Sequence, residues 1–183
     1  MATGILLNSD EVTLAINRIS RQVLEKNHRP DNLAIVGIHT CGVFLAERIR
    51  TYIKCQTSQL VPYGSLDINL YRDDWSLMSQ NPVVKTTDIS FKVEDMDIIL
   101  VDDVLFTGRT IRAALEALMD HGRPRSVQLA ILIDRGGREL PIQADYVGLS
   151  TTVRTHERIQ VMFEENGGQD EVLLLGHKGD GKK

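Results

Sequence analysis

Apolar positions along the chain follow two rhythms that take turns. Val12, Ile16, Ile19 and Val23 recur at helical spacing behind Asn8 and Glu11, whose separation is that of a capping box, so a helix is expected to run to about Asn27. The segment His28-Arg29-Pro30-Asp31 breaks it. Residues 33–38, LAIVGI, form the short unbroken apolar run of a parallel strand buried on both faces. After the turn HTCG, the residues Leu45, Ile49 and Tyr52 share one helical face. Residues 60–71 read as a strand broken at Gly64, with Leu66, Ile68 and Leu70 alternating with polar positions. Ile89, Phe91 and Val93 alternate as a further short strand. A strand at 97–101 leads through a turn into a helix that ends near Gly122, with Pro124 as the stop signal. Residues 127–133 repeat the apolar strand. Further strands are expected at 145–149 and 157–163, the last with VLLL beyond NGGQD as hairpin partner.

Two stretches carry no period. Residues 72–87 read as a long loop, and such loops in compact domains are usually functional lids or disordered. Residues 176–183 read as a frayed tail behind a single domain spanning 1–175. Strands alternating with helices point to an α/β fold with a mainly parallel sheet.

Composition narrows the function. A hydrophobic share of 42% beside 25% charged residues is that of an ordinary globular domain able to bury a core. The net charge of −4 gives no overall attraction to nucleic acid or to a membrane, although a local basic face stays compatible with it. No stretch approaches the ~20 apolar residues of a membrane span. Two cysteines, Cys41 and Cys55, suit a reducing cytoplasm better than a disulfide scaffold.

In open parallel sheets, ligands bind beyond the carboxyl ends of the strands. Three polar, glycine-bearing loops leave apolar strands at that edge: His39–Gly42, Asp102–Thr110 and Asp134–Gly137. The middle one pairs two acids with an anion-binding turn. Thr107, Gly108, Arg109 and Thr110 offer backbone N–H groups, two hydroxyls and a helix start, which together suit a phosphate. Asp102 and Asp103 would repel a phosphate placed on them. They fit one sugar away, where a vicinal diol donates a hydrogen bond to each carboxylate. Two blander readings stand beside this one: acids that only cap a turn, and an acidic Mg²⁺ pocket of a phosphoacceptor domain. Neither a GxGxxG nor a Walker pattern is present.

The stretch VDDVLFTGRT resembles the phosphoribosyl-pyrophosphate (PRPP) motif of type I phosphoribosyltransferases. With VGIHTCGVFLAERI, DINLYRDD and GRPRSVQLAILIDRGGRELPIQADYVG, the chain from about Leu6 to Phe163 resembles the PyrR family, pyrimidine operon attenuators that also carry uracil phosphoribosyltransferase activity. The resemblance implies a type I phosphoribosyltransferase fold, a mainly parallel central sheet flanked by helices with a small hood and a flexible loop. It implies conversion of uracil and PRPP to UMP and pyrophosphate, with Mg²⁺ held mainly through the diphosphate and by no direct protein ligand.

Residue by residue, the resemblance puts Asp102 and Asp103 on the ribose hydroxyls and Thr107–Thr110 on the 5′-phosphate, with Val104, Leu105 and Phe106 between them. Thr40, Cys41 and Gly42 match the loop that receives pyrophosphate. Tyr71, Arg72, Asp73 and Asp74 lie at the root of a closing loop, where Arg72 is a candidate to stabilise the departing diphosphate or else a solvated loop arginine. Arg135 and Ile159 match the region that shapes the nucleobase pocket. It also implies a basic RNA-binding face, for which Arg18, Arg21 and Arg138 are the candidates and pyr operon leader mRNA the partner, in a homo-oligomer of two or more subunits.

Two departures qualify these expectations. Cys41 stands where the family often has arginine, which removes a cation from the pyrophosphate loop. It reads either as a low-pKa thiol at a helix start or as a small inert side chain. Gln143 and Leu149 stand where the RNA-binding segment is often basic. Three readings therefore remain at this point: an enzyme that is also an attenuator, an enzyme alone, and a nucleotide sensor without turnover.

Overall fold

The computed structural model describes residues 2–28, 30–73, 86–154 and 156–176. Its first strand, β1 (Ala2–Leu7), precedes helix α1 (Ser9–Lys26), whose start is the reciprocal cap expected from the sequence. Glu11 N–H donates to Asn8 Oδ1 at 3.0 Å, and Asn8 N–H donates to Glu11 Oε2 at 2.9 Å. Next come β2 (Leu33–Ile38), α2 (Cys41–Thr57) and β3 (Tyr63–Leu66). The unit β4 (Asp97–Leu105), α3 (Arg109–Met119), β5 (Ser126–Asp134) follows, then β6 (Tyr146–Ser150). The hairpin β7 (Glu157–Met162) and β8 (Glu171–Gly176) closes the described chain.

Five strands form one sheet in the order β3-β2-β4-β5-β6, every neighbouring pair parallel. Helices α1 and α2 cover one face through Val12, Ile16, Ile19, Leu45, Ile49 and Ile53, all buried against Ile35, Ile99 and Leu132. Helix α3 covers the other through Ile111, Ala114 and Leu118, against Val36, Leu100 and Ile131. With both faces covered, central strands read as continuous apolar runs, as LAIVGI does. Strands β1, β8 and β7 form a separate antiparallel sheet in that order. This is the small hood, and the VLLL hairpin expectation holds in it.

Three expectations change. The strand expected over 60–71 is confined to Tyr63–Leu66, because Asp67 Oδ1 accepts from Asn69 N–H at 2.9 Å and turns the chain into a short 3-10 turn, leaving Leu70 exposed. Residues 89–93 form no strand. Only Asp88 bridges to Ser65, and Ile89, Phe91 and Val93 pack singly against the α3-side core. Strand β4 does not stop at 101 but pairs with β5 as far as Leu105↔Asp134. Asp102 thus lies inside a strand and is only 5% exposed, not at a solvent-facing end. Strand β1 was not foreseen at all. Asp74, most of the 72–87 loop and the tail beyond Gly176 lie outside the described residues.

Candidate functional site

Because every strand of the main sheet runs the same way, the segments after β2, β3, β4 and β5 emerge on one edge. Two glycines let the first of them approach closely. A Cβ on Gly37 would stand 2.6 Å from Val43 Cα, and one on Gly42 would stand 2.5 Å from the Val101 carbonyl oxygen and 3.3 Å from Asp102 Oδ1. No side chain fits there, so the start of α2 lies directly on the acid pair. The His39–Thr40 peptide just before it is cis. Thr40 is the N-cap residue of α2, and its side chain makes no cap hydrogen bond.

The acid pair is in an unusual environment. Burial first, then the neighbouring Asp103 carboxylate, push the Asp102 carboxyl well above its usual range. The hydrogen bond from Asp103 N–H to Asp102 Oδ1, at 3.0 Å, and the charge of Arg72 pull it back. Two full charges are therefore disfavoured here until a donor or cation arrives.

Beyond the pair, Gly108 takes φ +91° as the N-cap of α3, a left-handed conformation that favours glycine, and caps without a side chain. The turn is braced from outside: Thr107 carbonyl accepts from Glu139 N–H at 3.0 Å and from Leu140 N–H at 3.1 Å. Arg72, Asp73 and residues 104–111 line one cleft of about 260 Å³. The structure thus brings together Arg72, Asp102, Asp103 and the whole 104–110 turn, with Gly42 against Asp102.

The nucleobase candidates divide. Arg135, one residue past β5, lies with its guanidinium 3.9 Å from the centre of the Phe106 ring. Burial holds its pKa below the usual arginine range. Gly137, at φ +74°, packs so closely on the same ring that a Cβ would stand 2.5 Å from Phe106 Cε2. Ile159 lies on the hood strand β7 and packs, with Cys41 and Val104, against the α1/α2-side core. The Cys41 thiol donates to the Val161 carbonyl and accepts from Asn166 Nδ2, both at 3.8 Å. It joins the start of α2 to the hood.

The three arginines expected on a basic face lie apart from this edge or are occupied. Arg18 donates to the Gly148 carbonyl, tying α1 to β6. Arg21 pairs with Glu25 on the open surface. Arg138 donates to the carbonyls of Ile142 and Phe106 and pairs with Asp134 at 2.6 Å, so it holds the loop after β5 together. Sequence reasoning missed the contacts that fix the cleft: Arg109 bridges Asp73 and Glu139, and Arg112 Nη2 donates to the Tyr71 carbonyl at 2.9 Å. Their partners lie far away along the chain, so no local pattern announces them.

A strand carrying an acid pair into a glycine-capped anion turn, at the open edge of a parallel sheet, is the arrangement of a phosphoribosyl transferase domain, and the model of that family matches residues 2–166. Among curated proteins, the Bifunctional protein PyrR of Deinococcus radiodurans is 49% identical over 170 residues, covering 93% of this chain and 93% of its own. The Bifunctional protein PyrR of Syntrophobacter fumaroxidans is 46% identical, covering 93% and 91%. The chain belongs to the PyrR family of phosphoribosyl transferase proteins. A solved hypoxanthine phosphoribosyltransferase from Staphylococcus aureus superposes with a TM-score of 0.73 at 19% identity, over 99% of this chain and 95% of its own. That likeness shows the shared fold.

Proposed function

We propose that the chain transfers the ribosyl 5-phosphate group of PRPP to uracil, giving UMP and pyrophosphate. The observation that carries this reading is the continuous path from the buried Asp102 and its neighbour Asp103 to the glycine-led helix start at Gly108, with Gly42 pressed against Asp102. In the reaction the C1–O bond to diphosphate breaks, the C1–N1 bond to uracil forms, and N1 loses its proton. Positive charge develops on the ribose ring between those events. Asp102 and Asp103 accept hydrogen bonds from the 2′- and 3′-hydroxyls and lie close to that charge. Backbone N–H groups and the hydroxyls of Thr107 and Thr110 hold the 5′-phosphate. The start of α2, at Thr40, Cys41 and Gly42, receives the diphosphate, and Arg72 steadies it as it leaves. Arg135, Phe106 and Ile159 border the base.

Among the described residues no three His, Cys, Asp or Glu side chains converge on one point. In this reading Mg²⁺ would arrive on the diphosphate, held by substrate oxygens with one or two carboxylates. Bound in that way, it offsets charge on the leaving group.

The reading treats 1–175 as one domain of a cytoplasmic homo-oligomer. Both cysteines are free, and among the described residues no helix is long and apolar enough to cross a membrane. The second function is UMP-responsive binding of pyrimidine-operon leader RNA. Of the three candidate arginines, Arg21 has a side chain 74% exposed.

The decisive experiment is a Mg²⁺-dependent assay of UMP formation from uracil and PRPP beside cytosine and hypoxanthine. UMP should form from uracil alone, and its absence sinks the enzyme reading. For the regulator, leader RNA should bind more tightly than scrambled RNA, and UMP should strengthen the difference. Equal binding of the two RNAs, with and without UMP, leaves only the enzyme.

A further inference from the structure

The one arginine of the phosphate turn is already engaged. Arg109 Nη1 lies 2.5 Å from Asp73 Oδ2, and its Nε lies 2.6 Å from Glu139 Oε2. The two acceptors come from different connections, one after β3 and one after β5. Both are reinforced. Arg112 Nη2 stands 4.0 Å from the same Asp73 oxygen and donates to the Tyr71 carbonyl, while Glu139 N–H donates to the Thr107 carbonyl inside the turn. Three connections at the ligand edge therefore meet on one guanidinium.

A cation in an anion-binding turn invites assignment as a phosphate ligand. Here two carboxylates offset its charge before any anion arrives. Swinging it onto a phosphate would leave both carboxylates facing that anion without their partner. A planar fork with donors on several edges suits two acceptors held at a fixed angle. We infer that Arg109 is a positioning residue and not a phosphate ligand: it ties the Asp73 and Glu139 connections to the turn and so fixes the attitude of the N–H groups and hydroxyls of Thr107–Thr110 that hold the phosphate. This rests on the reading of that turn as the 5′-phosphate site.

The two roles predict opposite signs. If the guanidinium binds phosphate, deleting a carboxylate that competes for it tightens PRPP. If it is a strut, deleting either carboxylate loosens the turn and weakens PRPP, even though a negative charge has been removed. We would measure kcat, the KM for PRPP, and calorimetric affinities for PRPP and ribose 5-phosphate in wild type, Asp73→Asn, Glu139→Gln, Arg109→Gln and the two doubles with Arg109→Gln. Each carboxylate variant should weaken both ligands by about three- to tenfold, with the change falling on KM more than on kcat. Neither double should bind more weakly than Arg109→Gln alone, and Asp73→Glu should restore affinity. Melting temperatures should stay within about 2 °C of wild type, since these ion pairs are exposed. Unchanged or tighter binding in Asp73→Asn or Glu139→Gln, or additive losses in the doubles, overturns the inference while wild-type binding keeps the phosphate site. Wild type that binds neither ligand brings down the site reading, and the inference with it.

Discussion

Two groups of carboxylates in this protein live under opposite conditions. Inside β4, Asp102 and Asp103 are neighbours, and burial with the neighbouring charge drives the Asp102 carboxyl up. On the hood, Glu165 and Asp170 share the Arg48 guanidinium, which gives Glu165 hydrogen bonds of 2.8 and 2.7 Å and grips both oxygens of Asp170. Those bonds hold both hood carboxyls below their ordinary range. Arg48 also lies 4.8 Å from the centre of the Phe163 ring. Where a cation is supplied at contact distance, acids act as a clamp between α2 and the hood. Where burial and a neighbouring carboxylate dominate instead, the second negative charge is disfavoured.

The sharpest break in this comparison comes from the ligand-ready pair. Asp102→Asn with Asp103→Asn should lower UMP synthesis by about 10²–10⁴-fold, two hydrogen bonds of roughly 1.5–3 kcal/mol each. Stability should hold or rise, because two crowded acids become neutral. Near wild-type turnover in the folded double variant removes the ribose assignment. The converse break is Arg48→Ala, which strands the buried Asp170. It should cost about 2–3 kcal/mol and lower the melting temperature by roughly 6–10 °C, as thermal denaturation would show. An unchanged melting temperature would mean that the clamp holds nothing.

Cys41 stands where the two regions meet, at the start of α2 and in contact with Asn166 of the hood. Cys41→Arg should tighten PRPP or pyrophosphate by about 1–2 kcal/mol through the restored cation, while the thiol's contacts to Val161 and Asn166 are lost and the melting temperature falls. Unchanged or weaker binding by calorimetry would show that the cysteine is fitted to its loop.

The smallest effect is in pH. Asp102 binds its proton more tightly folded than unfolded, so its contribution to stability declines as pH rises from about 4 toward its elevated folded value, at most ~1.4 kcal/mol per unit. Glu165 and Asp170 act the other way: their contribution is complete above about 4.5 and is lost as pH falls below about 4. Urea denaturation of ligand-free protein between pH 3 and 8 should show both slopes. Asp102→Asn should remove only the upper one.

How much of this could be read from the sequence varies with the range of the contacts. The capping box of α1 and the apolar run of β2 are local and were legible, as was the passage from strand through a glycine turn into helix at 97–119. Burial of Asp102 was not, because it depends on β5 continuing to pair as far as Asp134 and on Gly42 of a distant helix lying against it. Alternation misled at Ile89, Phe91 and Val93, where Val93 is buried and the other two half-buried without a neighbouring ladder. The fork at Arg109 joins residues 73 and 139, so its partners could not be inferred from spacing. Strand β1 escaped notice because its partner is β8, at the other end of the described chain.

That pairing has a consequence in time. Ala2 meets Leu175 in the hood, so β1 pairs with a strand made long after it. At about 5–20 residues per second, β1 waits on the order of ten seconds or more for its neighbour, while β2 and β4 can already associate. During translation the Asp102–Asp103 pair and the Gly108 turn are made before β7 and β8. The β1–β8–β7 sheet therefore closes on a five-stranded sheet already in place.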